Sequence, residues 1–103
     1  MDIMNTTTNQ ITYKHIIIEE NDVIFLGYKL VLTKTEYRIL KSLIESVGTP
    51  LSTEEISSKI NIELSKENIR FHISSINKKA KIISNRKLIK KFAKNGYFLN
   101  EEM

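Results

Sequence analysis

The side chains best equipped for chemistry lie between positions 66 and 97, and the chemistry they suit is the holding of a polyanion rather than the making of bonds. Asn68, Arg70, Phe71, Ser74 and Ser75 fall in one short stretch. An Asn amide can bond an adenine edge, a guanidinium can reach guanine or phosphate, an aromatic ring can press on a thymine methyl, and serine hydroxyls are short adaptable donors. Lys66, His72, Asn77, Lys78 and Lys79 are interleaved with them, and these suit phosphates, which position a protein without reading sequence. Further along, Lys90, Lys91, Lys94 and Tyr97 suit a backbone or a minor groove. Each has a plainer alternative. Exposed lysines are usually only solvated, Phe71 can pack on a neighbouring element or partner, His72 can be a partly buried structural residue, and the Tyr97 ring can be core with only its hydroxyl offered.

Charge separates these alternatives in part. The chain of 103 residues has a net charge of +4. Residues 66–94 carry ten Lys or Arg against the single acid Glu67, while the rest holds six basic and eleven acidic residues. A segment of +9 beside a remainder of −5 points to a polyanion held on one face, most often nucleic acid. Catalysis finds little support. The three glycines stand alone at positions 27, 48 and 96, so there is no glycine-rich phosphate loop, and no Ser-His-Asp or paired-carboxylate spacing is present. The chain contains no cysteine, which excludes a disulfide framework, a thiol nucleophile and Cys-based zinc. His15 and His72 are far apart, so no metal or other cofactor is expected. No apolar run approaches the roughly 20 residues of a membrane span, and the polar start is no signal peptide. Cytoplasm is the default location.

The elements that must position these residues can be read from periodicity and caps. Residues 1–10 lack periodicity and are expected to form a flexible tail preceding one domain over 11–100. From Ile11 to Leu32 β-branched and aromatic residues alternate with polar clusters, predicting three antiparallel strands at 11–18, 23–26 and 28–32. Thr33 with Glu36 makes a capping box and Leu32 with Tyr37 a hydrophobic staple, so a helix should run from Lys34 to about Val47 and end at Gly48. Its inner face reads as Tyr37, Leu40, Leu43, Ile44 and Val47. Thr49 to Leu51 form a short extended link, since Pro50 biases Thr49 away from helix. Ser52 and Glu55 then repeat the capping grammar for a short helix reaching about Ile60. Ser65 caps the next helix, 66–80. At 100° per residue its Ile69, Ile73, Ile76 and Ala80 fall within roughly 60° of one another, the stripe of a helix docked on a core. Lys81 to Arg86 read as a polar loop, and 88–92 with 97–99 as a hairpin turning through Ala93-Lys94-Asn95-Gly96, where Asn95 and Gly96 can take positive φ.

The order strands, three helices, hairpin resembles the winged helix-turn-helix DNA-binding domain of OmpR/PhoB-type response regulators and the related ToxR-like regulators. Four local matches carry the resemblance: Leu32-Thr33-x-x-Glu36-Tyr37-x-x-Leu40-x-x-Leu43, Leu51-Ser52-x-Glu54-Glu55-Ile56, Ile69 through Lys79 with its His72-Ile73, and Lys94-Asn95-Gly96-Tyr97-Phe98-Leu99. It covers about residues 11–100. It implies an α+β fold, with a small N-terminal antiparallel sheet, a three-helix core and a C-terminal β-hairpin wing. It also implies a non-enzymatic, sequence-specific regulator of transcription that binds double-stranded DNA.

On that resemblance the helix 66–80 lies in the major groove and the wing 88–99 on the backbone or minor groove. RNA polymerase or another regulator is an implied partner, and homodimers or tandem copies on DNA are expected, since one small module makes few contacts. No phosphoacceptor receiver domain is expected within this chain. Two departures stand out: Ser74, Ser75 and Asn77 occupy positions where the family often has arginine, and no tryptophan follows the second helix. These departures favour a rival reading, a winged-helix protein-interaction module that acts as co-regulator or antagonist with weak or no DNA binding.

Overall fold

The computed structural model describes residues 10–20, 22–94 and 96–100. The expected tail, apart from Gln10, and the turn residue Asn95 lie outside the described residues. Four strands come first, β1 (Ile11–Tyr13), β2 (Ile16–Glu19), β3 (Asp22–Phe25) and β4 (Tyr28–Lys29). They form an antiparallel meander in the order β1-β2-β3-β4. Where the sequence reads as a single strand over 11–18, the chain turns back on itself. Tyr13 pairs with Ile16 across a two-residue turn, and Lys14 takes a φ of 52°. An unbroken run of β-branched residues hides such a turn, because neither Lys14 nor His15 belongs to the usual turn formers. The split also settles which face of the isoleucine run is inside: Ile16 and Ile18 are buried with Val23 and Phe25, while Ile17 and Ile24 face outward.

Three helices follow. Helix α1 (Lys34–Glu45) starts on the expected capping box: Glu36 N–H donates to Thr33 Oγ1 at 3.1 Å, and Thr33 N–H donates to Glu36 Oε1 at 2.8 Å. It ends two residues before Val47, which is exposed, and Gly48 serves the following turn with a φ of 91°. The residue buried in its place is Ile39. Helix α2 (Thr53–Ile60) has the same box built from Ser52 and Glu55. Its connector to α3 (Lys66–Ser84) is tied down by Ser57. That hydroxyl donates to the Ile62 carbonyl and accepts from Leu64 N–H at 3.2 Å, so the turn between the two helices is fixed from both sides. Helix α3 begins on the Ser65 cap and buries Ile69, Ile73, Ile76 and Ala80 as its periodicity requires. It continues four residues beyond Ala80, to an Asn85 cap with φ of 63°. Lys81, Ser84 and the polar run from Asn85 to Lys87 conceal one more turn of helix, with Ile82 exposed and Ile83 packed on the core.

Strands β5 (Leu51–Ser52), β6 (Ile89–Phe92) and β7 (Gly96–Leu99) close the domain in a second sheet of order β5-β7-β6. The extended link at Leu51 is thus the third strand of the wing, with Leu51 opposite Tyr97. Among the described residues of the hairpin tip the positive φ belongs to Ala93, at 57°, and not to Gly96. Gly96 is required for space: a Cβ there would lie 2.8 Å from the Phe92 carbonyl oxygen. Both sheets and all three helices share one hydrophobic core. Burying its isoleucines and leucines is the main force holding α3 and the wing at a fixed angle.

Candidate nucleic-acid interface

The three flanks of α3 have different fates. One is the core stripe. A second, reached by residues 70, 74, 77, 78 and 81, faces the wing and forms with it an open groove. Arg70, Lys78 and Lys81 line it from the helix, and Lys87 and Lys91 from the wing side. No carboxylate lines this groove, and none of the five cations has an ion-pair partner among the described residues. Five like charges around one concavity are costly unless solvent or an anion offsets them.

Strand pleating decides which wing lysine takes part. Lys91 pairs across from Tyr97, and Ile89 from Leu99, so these four share the face turned to α3, since residues two apart lie on one side of a sheet. Tyr97 is buried and adds to the groove wall. Lys90 falls on the other face with Phe92 and Phe98, half-buried and outside the groove. Lys94 is exposed at the hairpin tip.

Three expected contacts are placed elsewhere. Asn77 is buried, and three of the four hydrogen bonds its amide can make join α3 to the wing. Oδ1 accepts from Leu88 N–H at 2.9 Å and Ile89 N–H at 2.8 Å, while Nδ2 donates to the Ile89 carbonyl at 2.9 Å. It acts as a structural residue, held inward by the wing and buried away from a phosphate. Lys79 is bound instead to Glu36, its Nζ 2.6 Å from Oε1. Ser75 also turns towards Glu36 and hydrogen-bonds to it, rather than towards a base edge.

Glu36 is the hub of that third flank. Burial pushes its carboxyl up, but hydrogen bonds from Lys79, Ser75 and the Thr33 N–H, with the Lys79 charge, outweigh it and hold the pKa below the usual value. One side chain therefore caps α1 and anchors α3. Neither role of Asn77 nor the second role of Glu36 has a local signal, because both partners lie far along the chain.

On the outward crest of α3 stand Glu67 and Phe71, both exposed, with exposed Ser74 at the border between crest and groove and Lys66 and Asn68 exposed at the helix start. Phe71 is 68% exposed, and its ring meets half-buried His72 edge-on at 5.7 Å between centroids. Sequence reasoning missed Lys81 and Lys87 as groove residues. The charge count over 66–94 includes them, but only the extra helical turn and the start of the wing bring them to one place. Among the described residues no cluster of three or more His, Asp or Glu side chains could hold a metal, and no helix is long and apolar enough to cross a membrane.

Residues 27–99 match the family model described as "Transcriptional regulatory protein, C terminal". The chain belongs to this family. It comprises the DNA-binding domains of OmpR/PhoB-type regulators and is not a family of enzymes. Solved structures agree on the fold. The DNA-binding domain of the response regulator AdeR, in complex with an intercistronic region, superposes with a TM-score of 0.78 at 24% identity, covering 87% of this chain and 98% of that one. The Klebsiella pneumoniae RstA DNA-binding domain, in complex with the RstA box, gives 0.73 at 16% identity over 88% and 96%. The C-terminal effector domain of BfmR from Acinetobacter baumannii gives 0.67 at 27% identity over 92% and 93%. A search of curated proteins finds no match. The family domain thus has its winged helix-turn-helix architecture here, with a four-stranded N-terminal sheet.

Proposed function

We propose that the chain is a sequence-specific, double-stranded DNA-binding regulator of transcription, with α3 in the major groove and the wing against the adjacent backbone. The observation that carries this reading is the acid-free groove between α3 and the wing, lined by Arg70, Lys78, Lys81, Lys87 and Lys91. A groove flanking a helix that enters the major groove is where a sugar-phosphate strand must run. Arg70 then acts on phosphate, and base edges fall to Asn68, Phe71 and Ser74. The AdeR and RstA domains, solved in complex with an intercistronic region and with the RstA box, support DNA as the partner.

Titration of the protein against duplex DNA at increasing salt tests this. Five phosphate contacts give a slope of log affinity against log salt of about −4.5. Lys91→Ala should weaken binding to all sequences alike and flatten the slope by about 0.9, whereas Asn68→Ala should change preference among sites. Failure to bind any duplex at low salt overturns the proposal. It would favour the rival reading of a protein-interaction module, whose supporting feature is the apolar recess of Leu43, Val47, Pro50, Phe92 and Phe98.

A further inference from the structure

We infer that Phe71 reads the 5-methyl group of thymine, so that the operator is defined by thymine at the centre of the α3 footprint rather than by guanine. The inference rests on the DNA-binding reading above and gives it a base. Phe71 stands on the crest of α3, opposite the core stripe of Ile69, Ile73 and Ile76. Its large ring is left in water, and the His72 ring meets it edge-on at an interplanar angle of 69°.

The setting decides what can cover it. On the wing side the crest is bordered by Arg70, Lys78 and Lys81 in the cationic groove, so the surface that approaches Phe71 must be strongly negative at its margin and apolar at its centre. A DNA major groove has that pattern, with phosphates at the rim and the thymine methyl as the one apolar group among the base edges. Arg70 lines the groove together with Ser74 and Lys78, and the residues one helical turn from Phe71 are Glu67, Asn68, Ser74 and Ser75. No guanidinium is left on the crest to make a bidentate pair with guanine. At the centre of the footprint base discrimination therefore passes to apolar contact, with Asn68 left to read a base edge at the helix start.

The test begins with duplexes selected from a random pool by the intact chain, followed by titration of versions in which single thymines are replaced by deoxyuridine, which lacks only the methyl. Desolvating one methyl corresponds to about fourfold in affinity. The expected result is one or two positions where deoxyuridine weakens binding about fourfold, with that loss abolished in Phe71→Ala and partly kept in Phe71→Leu. Unchanged thermal unfolding of both variants excludes a folding effect, as an exposed side chain requires. Duplex binding that is indifferent to deoxyuridine at every position overturns the inference and leaves the DNA-binding reading standing. So does a methyl effect that persists undiminished in Phe71→Ala. A protein that binds no duplex removes the reading beneath it as well.

Discussion

Asn77→Ala separates a side chain that holds the wing from one that touches DNA. The structure gives Asn77 three hydrogen bonds, two from the Leu88 and Ile89 N–H groups and one to the Ile89 carbonyl. Leu88 and Ile89 are both 2% exposed, so alanine leaves two donors and an acceptor with little access to solvent. A buried polar group left unmade costs about 1–3 kcal/mol. Water entering the space left by the amide recovers part of this, which puts the total at the low end, about 3–4 kcal/mol. That is a third or more of the stability of a typical small domain. At about 4–8 °C per kcal/mol for a domain of this size, the midpoint should fall on the order of 20 °C. Circular dichroism measures the midpoint, and anisotropy titration at low temperature, where the variant is still folded, measures the salt slope. The slope should match wild type. A midpoint within about 3 °C of wild type together with a slope reduced by about 0.9 would falsify the structural assignment and return Asn77 to the phosphates.

Three further substitutions test the joints around the interface. Lys79→Ala leaves the Glu36 carboxylate, 3% exposed, without its cation, which should cost about 2–3 kcal/mol, below a fully buried pair because Lys79 is itself a third exposed. Glu36 has a folded-state pKa below its unfolded value, so its contribution is complete above the ordinary glutamate range, about 4.3, and is lost as pH falls through the folded value. Thermal scans from neutral pH down to pH 3 should therefore show Glu36→Gln less stable than wild type at neutrality and converging with it in acid; a constant difference would count against the network. Gly96→Ala sets a Cβ 2.8 Å from the Phe92 carbonyl. Backbone cannot yield as a side-chain tip does, so a loss of about 2 kcal/mol is expected, read as a lower unfolding midpoint, and a midpoint equal to wild type would show that the hairpin can open without cost.

How much of this was legible depended on how far each cause lies along the chain. The caps at Thr33, Ser52 and Ser65 and the buried stripe of α3 depend on residues three or four apart, and the structure has them as the sequence implies. The Tyr13–Ile16 turn was hidden because its residues are not turn formers, and the last turn of α3 because Lys81 and Ser84 flank its two isoleucines and a polar run follows. The site was legible as a charge count but not as a geometry. Lys78, Lys79 and Lys81 look equivalent in sequence, yet Lys79 meets a buried carboxylate 43 positions earlier, whereas Lys78 and Lys81 face the groove. Likewise Lys90 and Lys91 are neighbours whose side chains leave opposite faces of β6. Only register and helix rotation, both set by the shared core, tell these lysines apart. That sorting is also what isolates Phe71: once the core, Glu36 and the wing have each claimed a flank of α3, the crest that remains centres on an aromatic ring rather than on an arginine.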